Sequence, residues 1–327
     1  MADMRSPDAP AAANTAYVPL RPARATRHAV RTVELQVYEW GDASLATPER
    51  PTLLMMPGIM GNGIAFQFVV DELARLEGAS RHIVSAEWRG CGASSSGGAD
   101  SFLFPDHLAD LDALVDVLSP DRPIDLLGLS MGGSIVTIYA GVRPARIRRL
   151  INLEGVGQRE TSADVFLDNV GKWLDQLKAP PVVPPCSSFA EVCEQLQRYT
   201  PSLSADRVAW FAPHRAQVGD DGLWHLRGEP AQLRVAPFLL RLDEVLAVLG
   251  RITARMLWVE GASYGESRSR WNRHRWPGFF LTRDDLEARL ARVRNLERLV
   301  LPDCGHLIQF DQPELLAAGV RDFLSRG

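Results

Sequence analysis

Long apolar runs and an excess of positive charge are both missing from this sequence. Its 327 residues carry a net charge of −4, so no basic field favours a nucleic-acid partner. The longest apolar runs, such as 235-VAPFLL-240, are much shorter than the roughly 20 residues that a membrane-spanning helix needs. We therefore expect neither nucleic acid nor a membrane among its partners. The hydrophobic fraction of 46% is typical of a globular protein with a large core.

Cysteine is also scarce, and the N-terminal residues do not have the pattern of a secretory signal. The four cysteines show no metal-type spacing, so no metal site is predicted. Because a basic start followed by an apolar run is missing, we expect free thiols and a cytoplasmic location. Residues 1–26 are rich in alanine, proline and aspartate, which predicts a flexible tail.

Short apolar runs alternate with segments of helical spacing in two parts of the chain, residues 27–157 and 251–327. The runs 51-PTLLMMPG-58 and 124-IDLLGLS-130 are almost wholly apolar, as strands buried on both faces are. This alternation predicts an α/β core domain with a mostly parallel, doubly wound sheet. Residues 158–250 contain several helix-like segments with little strand character, which predicts a helical insertion into that core.

The sequence 128-GLSMG-132 follows one of these strands and opens a segment of helical spacing. A strand, a tight turn and a helix in this order form a nucleophile elbow, whose strain holds a serine above the sheet. Gly128 and Gly132 leave the room that such a turn needs. Ser130 is therefore the candidate nucleophile, and the N–H of Met131 is a candidate oxyanion donor at the helix start. The alternative is an ordinary serine at a glycine-rich helix start.

Two further loops supply candidate residues for the same chemistry. In the loop 57-PGIMGNG-63 a glycine lets the backbone approach the site, and the N–H of Ile59 is the candidate second oxyanion donor. A simple glycine-rich turn is the alternative there. His306 lies in 302-PDCGHLIQFDQPE-314, between the last predicted strand and the last predicted helix. A loop at that place can hold an imidazole within reach of Ser130, as a general base must be.

These motifs together resemble those of the α/β-hydrolase superfamily, over roughly residues 28–326. The matching pieces are 57-PGIMGNG-63, 87-EWRGCGAS-94, 128-GLSMGG-133 and 305-GHLIQFDQPE-314. Smaller features are similar to a bacterial group within that superfamily. A serine at the nucleophile position disfavours the dehalogenase and epoxide-hydrolase branches, which have aspartate there. The resemblance also implies that the helical insertion is a cap over the catalytic face.

The acid that would orient the histidine is the least obvious member of this site. The apolar strand 256-MLWVEG-261 leads into 262-ASY-264, where the superfamily commonly has a carboxylate. The resemblance implies a second place for the acid, at the end of the strand that follows the elbow helix. Glu154 stands there and is the favoured candidate. Glu260 and Glu266 are the competing carboxylates.

Together these residues predict a serine hydrolase that cleaves a carboxylic ester of a small or medium apolar substrate through an acyl-enzyme. Thioester, lactone or C–C bond hydrolysis would use the same residues. Cofactor-free lyase or oxygenase chemistry, and a binding protein with an inactive site, are alternatives of another class. No cofactor is expected, and the oligomeric state stays open. The candidate substrate-binding residues are Trp88, Trp210 and His214.

Overall fold

The computed structural model describes residues 16–157, 162–237, 240–264 and 281–326. Its strands are Arg24–Val30 (β1), Val33–Trp40 (β2), Leu53–Met56 (β3), Ile83–Ala86 (β4), Ile124–Leu129 (β5), Ile147–Leu153 (β6), Ala216–Val218 (β7), Trp224–Leu226 (β8), Arg255–Gly261 (β9) and Leu296–Leu301 (β10). Its helices are Gln67–Glu77 (α1), Phe104–Leu118 (α2), Met131–Val142 (α3), Ala163–Lys178 (α4), Phe189–Tyr199 (α5), Ala205–Arg215 (α6), Leu242–Arg251 (α7), Arg283–Leu290 (α8), Ile308–Asp311 (α9) and Pro313–Ser325 (α10).

Eight of the ten described strands form one large sheet in the order β1-β2-β4-β3-β5-β6-β9-β10. The two pairs at the β1 end, β1-β2 and β2-β4, are antiparallel. All of the following pairs, from β4-β3 to β9-β10, are parallel. The predicted fold class, a mostly parallel sheet with helices on both faces, is therefore confirmed.

Each central strand contributes to two hydrophobic cores, one on each face of the sheet. In β3, Leu53 and Met55 belong to one core, whereas Leu54 and Met56 belong to the other. All four side chains are fully buried. Because successive side chains of a strand point to opposite faces, a strand covered on both sides has to be apolar at every position. This explains the uninterrupted apolar runs in the sequence.

The parallel arrangement brings the loops after β3, β5, β6, β9 and β10 to one edge of the sheet. β5 lies between β3 and β6, and β9 lies between β6 and β10. The carboxyl ends of parallel strands lie along the same edge, and ligands of open α/β sheets commonly bind there. Residues that are distant in sequence, such as Ser130 and His306, can therefore meet.

The inserted region between β6 and β9 contacts this same edge of the sheet. Its described part contains α4 to α7 and the small antiparallel pair β7-β8. The Asn62 side chain donates to the carbonyl of His214 at 3.0 Å, and the N–H of Glu229 donates to the carbonyl of Gly90 at 2.7 Å. Both core partners follow strands of the sheet, so the insertion lies over the carboxyl ends of the strands.

The predicted flexible tail of residues 1–26 is wrong in its boundary. β1 begins at Arg24 and pairs with β2 along its whole length. Before it, the hydroxyl of Tyr17 donates to Asp71, and the N–H of Arg21 donates to the same carboxylate at 3.0 Å. The composition suggested disorder, but a tyrosine and an arginine with buried partners hold this segment against α1.

No described helix is long and apolar enough to cross a membrane.

Replacement of Asp71 should loosen this N-terminal segment. Asp71 is 2% exposed and also accepts from the Gln67 side chain at 2.8 Å. We expect Asp71→Ala to lower the free energy of unfolding by about 1–3 kcal/mol, because it leaves buried donors without an acceptor. Urea denaturation measures this loss, with the exposed Asp121→Ala as the control. Equal stability of the two variants would contradict the proposed anchoring.

Candidate functional site

Ser130 occupies a strained turn between β5 and α3. Its backbone has φ 54° and ψ −115°. Residues other than glycine rarely adopt this conformation, and those that do are often found at functional sites. The turn also needs glycine on both sides. A Cβ on Gly128 would lie 2.5 Å from the carbonyl oxygen of Gly132, and a Cβ on Gly132 would lie 2.5 Å from that of Met56. Crowding of this kind leaves space only for hydrogen.

Ser130, His306 and Glu154 form one hydrogen-bonded row. The Oγ atom of Ser130 is 2.9 Å from His306 Nε2, and His306 Nδ1 is 2.6 Å from Glu154 Oε2. Ser130 and His306 are partly exposed, whereas Glu154 is fully buried. Because Nδ1 faces a carboxylate, the ring is assigned the tautomer with its proton on Nδ1. Nε2 is then free to accept the proton of the serine.

The second carboxylate oxygen of Glu154 is bound by the backbone at the end of β9, directly before 262-ASY-264. The N–H of Gly261, at the end of β9, donates to Glu154 Oε1 at 2.9 Å. β6 and β9 are neighbours in the sheet, so a side chain just after β6 can reach the end of β9. Glu154 itself has φ +54°, and this turn directs its carboxylate towards His306.

Asn152 stabilises the turn that carries Glu154, a role that the sequence reasoning did not assign. Its Oδ1 accepts from the N–H of Gly155 at 2.7 Å. Its Nδ2 lies 2.7 Å from the carbonyl oxygen of Gly155 and 3.1 Å from that of Gly133 in α3. Asn152 is fully buried. The signal in the sequence was an asparagine inside an otherwise apolar strand, a residue that needs partners when buried.

The competing carboxylate Glu260 lies in a different environment. Both of its oxygens are 3.0 Å from Arg283 Nη1, and Oε2 also accepts from the Trp258 indole at 3.0 Å. Its side chain is part of an ion pair next to β9 and not of the row formed by Ser130 and His306. Glu266, the other competitor, lies outside the described residues.

The loop after β3 packs directly against Ser130. A Cβ on Gly58 would lie 3.3 Å from the Cβ of Ser130, so the backbone approaches the serine closely enough that a side chain at position 58 would be crowded. The N–H of Gly61 donates to the carbonyl of Gly58 at 3.1 Å and closes a turn around Ile59. Met131 is the first residue of α3, where N–H groups have no partner within the helix.

Trp88, predicted to contact the substrate, does not line an open site. It is fully buried, and its ring packs edge-on against His107 at 5.3 Å between centroids. Its indole N–H donates to the carbonyl of Pro57 at 2.8 Å. Nearness in the motif did not reveal that this side chain points into the core, and a substrate contact by Trp88 stays a prediction. Trp88 instead supports the loop that contains Ile59.

Trp210 and His214, the other two predicted substrate contacts, join the insertion to the core. Both are partly buried, and their rings lie 5.1 Å apart. Trp210 also packs against Phe68 of α1 at 5.7 Å. Burial, helped by the charge of Arg227, lowers the pKa of His214. No described hydrogen bond connects either side chain with Ser130 or His306, so substrate binding by them stays a prediction.

Glu87 is a second residue whose part in the site region the sequence reasoning did not assign. It is fully buried, accepts from the N–H of Ala93 at 2.6 Å and from the Asn62 amide at 3.2 Å. Burial raises its pKa, and these donors oppose that effect. Glu87 thereby ties the loop after β3 to the loop after β4. It opens the motif 87-EWRGCGAS-94, which was the signal available in the sequence.

The cysteines take no part in this hydrogen-bonded row. All four are free thiols. Burial, together with the nearby carboxylates of Asp311 and Glu154, raises the pKa of Cys304 to about 12, so this thiol stays neutral beside the site. Among the described residues, no group of three or more histidine, cysteine or acidic side chains could hold a metal ion.

Comparisons with known proteins agree with this fold. A family model described as alpha/beta hydrolase fold matches residues 51–191. A probable serine hydrolase of Drosophila melanogaster is 24% identical over 242 residues, which are 68% of this chain and 72% of the relative. A 2-heptyl-3-hydroxy-4-quinolone dioxygenase of Rhodococcus erythropolis is 24% identical over 142 residues, which are 42% of this chain and 49% of that relative.

Solved structures are similar over nearly the whole chain. The thioesterase domain from the curacin biosynthetic pathway has a TM-score of 0.75 at 24% identity, covering 91% of this chain and 99% of that domain. A novel esterase of Mycobacterium tuberculosis has a TM-score of 0.64 at 16% identity, covering 93% of this chain and 92% of the esterase. At these identities the likeness is one of fold. With its sheet order and the family match over residues 51–191, the chain has the α/β-hydrolase fold.

Loss of the Asn152 side chain should weaken the turn at Glu154. We expect Asn152→Ala to reduce the free energy of unfolding by about 1–3 kcal/mol, since it leaves the buried N–H of Gly155 without its acceptor. Chemical denaturation measures the change. The exposed Asn295→Ala is the matched control and should unfold at the parent's midpoint. If both variants unfold alike, Asn152 does not stabilise the turn.

Proposed function

We propose that this protein is a serine hydrolase that cleaves a carboxylic ester of a small or medium apolar substrate. The observation that carries the proposal is the row of hydrogen bonds from Ser130 Oγ through His306 to Glu154. This is the arrangement of a nucleophile, a general base and an orienting acid. The match to a probable serine hydrolase, and the structural likeness to an esterase and a thioesterase, support the same class.

In the first chemical step, Ser130 Oγ attacks the carbonyl carbon of the ester while His306 Nε2 takes the serine proton. The imidazolium that forms keeps its Nδ1 proton directed at Glu154, whose negative charge stabilises it. The N–H of Gly261 holds the other carboxylate oxygen, so the acid does not rotate away from the ring. Glu154 thus fixes both the tautomer and the orientation of the base.

The negative charge that develops on the carbonyl oxygen needs donors placed in advance. The N–H groups of Ile59 and Met131 are the proposed pair, because one lies in the glycine turn packed on Ser130 and the other opens α3. His306 then returns its proton to the leaving alcohol, and an acyl-enzyme remains. Water activated by the same histidine hydrolyses it. Thioesters, lactones and some C–C bonds would be cleaved by the same steps.

The helical insertion is the proposed cap, and its partly buried aromatic side chains suit an apolar pocket. Trp210 and His214 stay the proposed substrate contacts, because they lie where the insertion meets the core. We further propose a cytoplasmic location, since four free cysteines suit a reducing compartment.

Dioxygenase chemistry is the second candidate. It rests on the match to the quinolone dioxygenase of Rhodococcus erythropolis, which covers 42% of this chain. Oxygen uptake in the presence of 2-heptyl-3-hydroxy-4-quinolone, measured with an oxygen electrode, separates the two candidates. Turnover of that compound without ester hydrolysis would replace the first proposal with the second.

A fluorophosphonate probe should label Ser130. We expect covalent labelling of the parent protein, because the probe reacts with a serine that an adjacent base activates. Mass spectrometry of the labelled peptide identifies the site. Ser130→Ala should lose the label, whereas Ser134→Ala, one helical turn away, should keep it. An unlabelled parent protein would contradict the proposed function.

Replacement by glutamine should lower the activity strongly at position 154 and only slightly at position 260. We expect Glu154→Gln to lower kcat for p-nitrophenyl esters by about 10²–10⁴-fold, because an amide supports the wrong tautomer of His306. Glu260→Gln should retain most of the activity, since its carboxylate pairs with Arg283. Steady-state kinetics of the two variants make the comparison. A Glu154→Gln protein as active as the parent would rule out Glu154 as the acid.

A further inference from the structure

The peptide group between Cys304 and Gly305, one residue before His306, has a hydrogen-bond partner at each of its polar atoms. The carbonyl oxygen of Cys304 accepts from the hydroxyl of Ser263 at 2.8 Å. The N–H of the next residue, Gly305, donates to Asp311 Oδ2 at 2.8 Å. A loop that carries a base would otherwise rotate freely about a glycine. These two hydrogen bonds therefore fix the backbone from which the imidazole extends.

Asp311 also binds the helical insertion with its second oxygen. Ser202, in the segment between α5 and α6, lies with its Oγ 2.5 Å from Asp311 Oδ1. Next to this contact, the rings of Phe211 in α6 and Phe310 pack at 5.3 Å between centroids. One carboxylate thus connects the loop of His306 with the insertion.

The charges around Asp311 suit this connecting role. Within the part of the chain that the structure describes, no cationic side chain forms an ion pair with it. One of its oxygens accepts from the Gly305 N–H, and the other lies against the Ser202 hydroxyl. The neighbouring Cys304 thiol stays neutral, because burial and the carboxylates of Asp311 and Glu154 raise its pKa. Asp311 therefore acts as an acceptor of hydrogen bonds and not as half of a surface ion pair.

The far end of the same segment reaches the other side of the site. Arg215, the last residue of α6, donates to the carbonyl of Met60, and the carbonyl of His214 accepts from the Asn62 amide at 3.0 Å. Met60 and Asn62 follow Ile59, the proposed oxyanion donor. Residues 202–215 thus contact the base loop at one end and the oxyanion loop at the other.

We propose that Asp311 is a positioning residue for His306, which holds the Gly305 backbone and couples the base to the seated insertion through Ser202. The inference rests on the proposed function, since it assigns the base to His306. A misplacement of a base by about 1 Å can cost about 10²-fold in rate. Binding of the insertion and placement of the base are thereby linked through one side chain.

The test compares four variants on a p-nitrophenyl ester. We expect Asp311→Ala to lower kcat by about 10–100-fold with little change in KM, and Asp311→Glu to recover part of that loss. Ser202→Ala should raise KM and lower kcat by less than Asp311→Ala does, because it removes one contact of the insertion and leaves Gly305 bound. Glu314→Gln removes an exposed charge three residues away and should match the parent. Thermal unfolding of each variant checks that it is folded.

A double-mutant comparison separates positioning from general stability. Two residues that act through the same histidine have non-additive effects on rate. Asp311→Ala should therefore cost much less in a Glu154→Gln background than in the parent. A full and equal loss in both backgrounds would overturn the proposal, as would an Asp311→Ala protein with the parent's kcat. So would a Ser202→Ala protein with the same loss of kcat as Asp311→Ala.

Hydrogen exchange at Gly305 tests the backbone contact without relying on activity. We expect the Gly305 amide to exchange faster in Asp311→Ala than in Glu314→Gln, because alanine removes the acceptor of this N–H. Unchanged protection would overturn the proposal even if activity fell. Failure of the proposed function is recognised separately, by a parent protein whose Ser130 does not react with fluorophosphonate.

Discussion

The site depends on one buried carboxylate that joins three strands of the sheet. Glu154, just after β6, binds His306 after β10 with one oxygen and the N–H of Gly261 at the end of β9 with the other. A carboxylate without exposure is costly to bury unless it has partners of this kind. Since both partners come from strands on the same side of β6, the position of this carboxylate requires the parallel sheet to be assembled. The imidazole of His306 is then oriented by the sheet itself.

Close approach of backbones imposes the second constraint. Ser130 and Glu154 end neighbouring strands with the same unusual positive φ, and the N–H of Ser130 donates to the carbonyl of Leu153 at 2.8 Å. A Cβ on Gly155 would lie 2.6 Å from the Cα of Gly133. Strain at two adjacent turns persists because the surrounding hydrogen bonds, among them those of Asn152, determine the geometry.

Different parts of the protein were predictable from sequence to different degrees. The short apolar runs in the sequence predicted the doubly wound sheet, because a strand buried on both faces needs a continuous run of hydrophobic residues. The candidates Ser130 and His306 followed from local motifs, and the structure brings them within 2.9 Å. The buried position of the Trp88 side chain and the ordered segment around Tyr17 did not follow from the sequence. Both depend on packing against residues far away in sequence, which composition and motif spacing do not encode.

The stretch 259-VEGASYGES-267 separates what the sequence determined from what only the fold decided. The sequence by itself determined that 262-ASY-264 offers no carboxylate. It also placed two candidates for the partner of His306: Glu154, after the strand that follows the elbow helix, and Glu260. Only the tertiary structure decided which carboxylate contacts His306: Glu260 pairs with Arg283, whereas Glu154 binds His306 Nδ1 and the Gly261 N–H. The physical reason is that strand order sets which chain segments meet. β6 and β9 are neighbours in the sheet although about a hundred residues of chain separate them, and no local pattern records that adjacency.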